Sequence, residues 1–182
     1  MKRKLLLYLC LATLTQCSKC KNDPAPADPA SQLPPATQTG ANTFGCLVDG
    51  KPYTPKGSTG TSNFNVMYDP VLNGGDLIIA ADRIEGSRQW YITILAAPVT
   101  TIGKLSFSRP NGACKALYAD TPAPSACNLI YSDRDVSYRS GQLEITRFDT
   151  RARIVSGTFN FKLLQAGCDT LRITQGRFDA KF

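Results

Sequence analysis

Apolar side chains recur at every second residue in much of this chain, and that spacing constrains its fold more than any other feature. In the segment 155–163 the odd positions are apolar or glycine and the even positions are polar. Trp90, Ile92, Ile94 and Ala96 follow the same alternation. A period of two is typical of a β-strand that turns one face to a core and the other to solvent. No stretch keeps helical spacing beyond two turns, so the sequence predicts an all-β fold.

Turn residues separate the predicted strands. Leu77–Ala81 is continuously apolar, which favours a central strand covered on both faces, and Glu85-Gly86-Ser87 supplies a hairpin turn after it. Asp49-Gly50 is a strong signal for a two-residue hairpin turn. Pro52 and Pro55 lack the backbone N–H that a central strand needs, so the strand after that turn is predicted to lie at a sheet edge.

Two segments near the C-terminus resemble each other. Leu143–Asp149 reads LEITRFD, and Leu171–Asp179 reads LRITQGRFD with two extra residues. In both, the apolar positions change phase before the phenylalanine, which predicts a β-bulge in each strand, with Gly176 at a positive φ. The repeated Arg and Asp residues (Arg147, Asp149, Arg177 and Asp179) suggest structural ion pairs between the strands.

We therefore predict a C-terminal meander of three antiparallel strands over residues 142–149, 153–164 and 169–181. Its core residues are expected to be Phe159, Phe161, Leu171, Ile173 and Phe178. The whole domain, 43–182, is predicted to be one antiparallel β-sandwich or barrel-like unit. Its middle, 109–141, is rich in loop residues, and a binding surface is expected there because loops often carry function. Tyr118, Tyr131 and Tyr138 lie in or beside it as candidate contact residues, although they are also suited to covering the core.

The N-terminus has the organisation of an export signal. Residues 1–16 combine a cationic start (Lys2, Arg3 and Lys4) with an apolar run too short to span a bilayer. Leu14-Thr15-Gln16-Cys17 resembles a lipobox, although Gln16 stands where a small residue is usual. Cys17 is thus the predicted lipidation site, the alternative being an ordinary secretory signal cleaved elsewhere. An aspartate directly after the lipidated cysteine is typical of inner-membrane retention. Ser18 occupies that position here and is followed by Lys19, so we expect an outer-membrane lipoprotein.

The segment 17–42 is rich in proline and alanine and has few apolar residues, so it is predicted to be a disordered tether between the lipid and the domain. The formal net charge is +7, of which the signal segment contributes three. The remaining cations are scattered among acidic residues. No basic run with interleaved aromatic residues occurs, which argues against a nucleic-acid partner.

Cysteine usage favours disulfides over metal binding. An exported domain meets an oxidising environment, and zinc sites favour closely spaced cysteines or histidine partners. The chain contains no histidine. We predict the pairs Cys46–Cys168 and Cys114–Cys127, although four cysteines allow three pairings. The state of Cys20 is left open. No metal site and no cofactor are predicted.

The lack of histidine also excludes serine and cysteine triads and imidazole ligands. The routes that survive are a carboxylate pair, as in glycosidases, and a Ser-Lys dyad. The two glutamates, Glu85 and Glu144, are predicted to be on the surface, and Asp133-Arg134-Asp135 has too few ligands for a Ca²⁺ loop. No catalytic residue is therefore assigned.

Three segments carry a family resemblance: Thr43–Pro55, Ile154–Phe159 and Thr174–Asp179. They resemble a Bacteroidota-type lipoprotein family known as a domain of unknown function. The resemblance implies a surface or periplasmic lipoprotein domain and supplies no catalytic residue. Together with the anchor and the tether, it favours a non-catalytic binding or interaction module, held at the membrane by its lipid, with an unidentified protein or glycan as partner. The alternative is a carboxylate-dependent hydrolase acting on glycans.

Overall fold

The described residues form an antiparallel β-structure of eleven strands. The structure, a computed structural model, describes residues 28–58, 60–108, 112–122, 127, 129–131 and 136–182. The strands are β1 (Thr43–Val48), β2 (Lys51–Tyr53), β3 (Phe64–Asp69), β4 (Asp76–Glu85), β5 (Arg88–Ala96), β6 (Gly103–Ser106), β7 (Cys114–Thr121), β8 (Leu129–Tyr131), β9 (Val136–Asp149), β10 (Ile154–Gln165) and β11 (Leu171–Lys181). Short 3₁₀ turns occupy Pro29–Gln32 and Leu72–Gly74. No described helix is long and apolar enough to cross a membrane.

The strands form two sheets that pack face to face. One has six strands in the order β2-β1-β11-β10-β9-β6, and the other has five in the order β3-β4-β5-β7-β8. All the strand pairs are antiparallel. The predicted all-β class is confirmed, and of the two predicted architectures the chain adopts the sandwich. The predicted loop region 109–141 contains β7, β8 and the start of β9, so that interpretation was wrong for those strands.

The core lies between the sheets and is filled by alternate residues of each strand. Leu77, Ile79 and Ala81 of β4 are fully buried, as are Ile92 and Ile94 of β5. The segment 77–81 of β4 was predicted to be buried on both faces, but only its inner face is fully buried. Ile78 and Ala80 are half-buried, because the outer face of this sheet is turned toward solvent.

The predicted C-terminal meander is confirmed as β9, β10 and β11, with all five predicted core residues at 5% exposure or less. Both predicted bulges are present. Thr146 is the extra residue of β9 opposite β10, and Thr174 and Gln175 oppose a single residue of β10. The positive φ belongs to Gln175, at 52°, and not to Gly176 as predicted. Gly176 has a different role, because a Cβ there would lie 2.4 Å from the Phe159 ring.

The predicted turns form hairpins. Asp49 and Gly50 take φ values of 47° and 78° between β1 and β2, which suits the two positive φ angles of a type I′ turn. Gly86 and Ser87 connect β4 to β5. The proline-containing strand β2 is an edge of the six-stranded sheet, as Pro52 predicts.

The domain begins earlier than the sequence suggests. Residues 28–42, which were assigned to the tether, form a strap that lies on the outer face of the six-stranded sheet. Leu33 is 8% exposed, and the ring of Pro34 lies directly over Gly45, where a Cβ would be 2.6 Å from Pro34 Cδ. Arg147 donates a hydrogen bond to the Gln38 carbonyl. Glycine at position 45 thus leaves room for the strap, while residues 17–27 lie outside the described residues.

Asp179 holds this strap. Its carboxylate is 1% exposed and accepts hydrogen bonds from the hydroxyl of Thr37 (2.7 Å), from the backbone N–H groups of Thr39 (2.9 Å), Gly40 (2.8 Å) and Ala41 (3.1 Å), and from the Ser156 hydroxyl (2.7 Å). Burial alone would raise the pKa of Asp179, but these hydrogen bonds outweigh it and hold the pKa well below its ordinary value. Contacts to the strap therefore replace the suggested ion pair with Arg177. Arg147 pairs with Asp149, at 3.0 Å, but both residues lie on β9, so this ion pair does not join two strands as predicted.

The predicted disulfide pairing was wrong. Cys127 is bonded to Cys168, whereas Cys46 and Cys114 are free thiols buried between the sheets. Cys114 begins β7 and Cys127 follows its end, so eight extended residues, roughly 25 Å, separate the two positions. Cys168 lies in the β10–β11 connection and reaches Cys127 at the same end of the sandwich. The bond therefore links the two sheets.

Candidate functional site

A cleft opens at the end of the sandwich where the inner faces of the strands change from apolar to polar. On β5 the inward series Ile94, Ile92 and Trp90 continues to Arg88, next to the hairpin turn. The inward series of β4 and of β7 end in the same way, at Glu85 and at Asp120 respectively. At this end, charged side chains of the five-stranded sheet thus take the inward positions that apolar side chains hold in the core.

We call this site the end cleft. It has a volume of about 360 Å³, within the range of small-molecule sites. Its lining residues are Val48, Asp49, Lys51, Pro52, Tyr53, Arg83, Glu85, Arg88, Trp90, Tyr118 and Asp120. Asp49 and Tyr118 also line an adjoining groove of about 570 Å³, which is bounded by the Cys127–Cys168 disulfide and by residues 167–171. The two depressions therefore adjoin at these two residues.

Arg88, Asp120 and Trp90 form a rigid unit in the end cleft. The Arg88 guanidinium donates Nε–H to Asp120 Oδ1 at 2.8 Å and Nη2–H to Oδ2 at 2.5 Å. Its central carbon lies 4.7 Å from the centre of the Trp90 ring, a cation–π contact. The hydrogen bonds from Arg88, with a smaller contribution from the indole N–H of Trp90, outweigh burial and lower the pKa of Asp120. The carboxylate stays ionised at neutral pH and cannot act as a proton donor.

Glu85 and Asp49 are also engaged by neighbouring groups. Glu85 Oε1 accepts a hydrogen bond from Arg83 at 2.6 Å and lies 3.4 Å from the Lys56 ammonium, and the contact with Arg83 is the main cause of its lowered pKa. Asp49 Oδ1 accepts the backbone N–H of Arg172 at 2.8 Å. The three carboxylates of the end cleft are thus held in place before any ligand arrives.

Two tyrosines complete the wall of the cleft. The Tyr53 hydroxyl lies 2.7 Å from the Ala81 carbonyl oxygen and 3.1 Å from that of Trp90, so its ring is fixed against the five-stranded sheet. Tyr118 is half-buried, and burial together with the nearby carboxylates Asp120 and Asp49 raises its pKa to about 12. Its phenol is therefore protonated at neutral pH and can both donate and accept hydrogen bonds.

Comparison of the chain with protein-family models, curated proteins and solved structures finds no match. Among the described residues, no group of three or more histidine, cysteine, aspartate or glutamate side chains lies close enough to hold a metal ion.

The structure places one of the three candidate tyrosines in the cleft. Tyr118 lines it, whereas Tyr138, 55% exposed on β9, is not among the residues that line it. The backbone of Tyr131 pairs with Leu117, but its side chain lies outside the described residues, as does Cys17. Glu144 is on the surface near Lys104, as predicted.

Four residues of the site were not predicted from the sequence: Trp90, Arg88, Asp120 and Glu85. Trp90 does lie on the inward face predicted for its strand, and the same alternation continues two residues further to Arg88. Glu85 is exposed, as predicted, but it also lines the cleft. The signal that identifies this site is an inward-facing series that becomes charged just before a hairpin.

Proposed function

We propose that this protein is a lipid-anchored, non-catalytic binding module of the bacterial cell envelope, with the end cleft as its ligand site. The observation that carries the proposal is the set of charged and aromatic side chains fixed by mutual contacts at the open end of the sandwich. Such a preformed site loses little conformational freedom on binding. The proposal also includes two expectations from the sequence, namely the resemblance to a lipoprotein family and the outer-membrane location.

The state of the carboxylates supports binding over hydrolysis. A glycosidase needs one carboxyl with a raised pKa as the general acid, beside a second carboxylate. In the end cleft, Glu85 and Asp120 have lowered pKa values and are each paired with an arginine. A raised pKa is found at Asp82, caused by burial. Asp82 follows Ala81 on β4 and so points to the other face of the sheet, away from the cleft.

The binding role predicts ligand-dependent stability. We expect at least one class among sugars, amino acids, short peptides, nucleotides and inorganic anions to raise the melting temperature of the purified full chain. A ligand at a hundredfold excess over its Kd stabilises by about 2.7 kcal/mol, which raises Tm by several degrees. Differential scanning calorimetry measures this shift.

Two variants make that experiment specific to the cleft. Arg88→Gln removes the fork to Asp120 and should reduce the shift, whereas Lys162→Gln, an exposed position on β10, should leave it unchanged. No shift with any class would contradict the proposal. So would turnover of a glycan that disappears in Glu85→Gln or Asp120→Asn, since it would show a carboxylate-dependent hydrolase.

Anchoring is tested separately. We expect mass spectrometry of protein extracted from membranes to find an acylated Cys17 as the mature N-terminus. Because the described domain begins at residue 28, the connection from Cys17 spans at most about 40 Å when fully extended. The domain would then remain close to the bilayer. An unmodified N-terminus at another residue would show ordinary secretion instead.

A further inference from the structure

Among the described residues, the lining of the end cleft carries three positive and three negative groups, and this balance restricts its ligand. Its cations are Lys51, Arg83 and Arg88, and its carboxylates are Asp49, Glu85 and Asp120. A ligand with a net negative charge would meet three carboxylates, and one with a net positive charge would meet three cations. Neither gains net Coulomb attraction from such a lining. The charge balance therefore favours an uncharged ligand.

The hydrogen-bonding capacity of the same groups favours hydroxyls. Lysine and arginine side chains only donate, and ionised carboxylates only accept. Arg88 has five N–H donors, of which the fork to Asp120 uses two. A hydroxyl both donates and accepts, so adjacent hydroxyls can bind the unused donors of an arginine and the unused lone pairs of its partner carboxylate together. The existing ion pairs need not be broken.

A zwitterion fits this lining less well. Its ammonium and carboxylate groups could use the same unused donors and lone pairs, but a charged group loses far more hydration than a hydroxyl does on entering the cleft. Short peptides and amino acids are thus disfavoured relative to a neutral polyol.

Shape and apolar surface also favour a sugar. Tyr118 contributes half-buried ring surface, against which the C–H face of a sugar can pack, whereas Arg88 covers one face of the Trp90 ring. The cleft adjoins the groove beside the disulfide at Tyr118 and Asp49. Its volume of about 360 Å³ has room for one sugar unit, and further units could extend toward the groove.

From this arrangement we propose that the end cleft binds the terminal unit of a neutral glycan. The inference rests on the proposed binding function and names its ligand class. Arg88 and Asp120 bind hydroxyls of the terminal sugar as a fixed pair, and Tyr118 packs against the ring and adds a hydrogen bond through its phenol.

Isothermal titration calorimetry on the purified full chain tests the proposal with defined probes: glucose, galactose, mannose, N-acetylglucosamine and their short oligosaccharides, against dipeptides, free amino acids and inorganic phosphate. We expect binding by at least one sugar series, tighter for the oligosaccharide. Affinity should fall at least tenfold in Arg88→Gln and several-fold in Tyr118→Phe, and stay unchanged in Lys162→Gln. Raising NaCl to about 0.5 M should have little effect, because no net charge is neutralised on binding.

The outcomes separate this inference from the function on which it rests. If dipeptides or phosphate bind but no sugar does, and Arg88→Gln lowers their affinity at least tenfold, the glycan assignment is overturned. The proposal of a binding module would then be retained. Sugar binding that Arg88→Gln and Tyr118→Phe leave intact would place the glycan elsewhere and overturn the site. The absence of binding by every class would overturn both.

Discussion

Replacing both Cys127 and Cys168 with alanine is expected to lower the free energy of unfolding by about 4 kcal/mol. The bond closes a loop across a sequence separation of 41 residues, and the chain-entropy model assigns a cross-link of that length about this much stabilisation of the folded state. Because the bond also links the two sheets beside the end cleft, its loss should weaken ligand binding. Denaturant unfolding of native and variant protein under oxidising conditions measures the difference.

Reductant provides the matched control for this prediction. Under reducing conditions the native protein should lose about the same stability, whereas the double variant should not change. Cys46 and Cys114 should resist alkylation until the protein unfolds, because both are buried and burial raises the pKa of both thiols, that of Cys114 to about 12. Equal stability of the native protein with and without reductant would refute the Cys127–Cys168 bond.

Asp179→Ala should cost at least about 3 kcal/mol. The substitution leaves the hydroxyls of Thr37 and Ser156 and three backbone N–H groups of the strap without their acceptor, and each buried unsatisfied group costs about 1–3 kcal/mol before water replaces any contact. Asp149 supplies the matched control, because it follows Phe148 as Asp179 follows Phe178. Its side chain is partly exposed, so Asp149→Ala should cost much less than Asp179→Ala. Equal losses in the two variants would contradict the role of Asp179.

The same carboxylate predicts a pH dependence. Its pKa is lower in the folded protein than in the unfolded chain, where an aspartate titrates near 3.9. Its stabilisation is therefore complete at neutral pH and is lost as the pH falls below about 4 toward the lowered pKa of the folded state. Unfolding curves recorded across this range should show the gap between native protein and Asp179→Asn narrowing as the pH falls. A gap that stays constant would mean that Asp179 titrates normally.

Local patterns in the sequence were sufficient to predict much of the fold. The alternation of apolar and polar residues predicted the meander and its core phenylalanines. The change of phase in the repeated segments located both bulges, because a strand that keeps two sets of apolar residues inward must insert a residue between them. The Asp49-Gly50 turn and the edge position of Pro52 followed from the backbone requirements of those residues.

Features that depend on contacts between distant segments were not predictable in this way. The cysteine pairing required knowing which strand ends share one end of the sandwich. The strap was missed because a proline-rich segment has little to bury by itself, and its partner, Asp179, lies about 140 residues further along the chain. The end cleft combines residues of both sheets, so each of its side chains appears in the sequence as an isolated polar residue near a turn.

The position of β11 has a consequence for the order in which the domain folds. This strand follows the other ten described strands along the chain, yet it lies in the interior of its sheet, between β1 and β10. Until β11 is in place, the β1–β2 hairpin has no neighbour to join and the strap has no acceptor at Asp179. Folding dominated by such distant contacts is slow, so we expect the six-stranded sheet to close late.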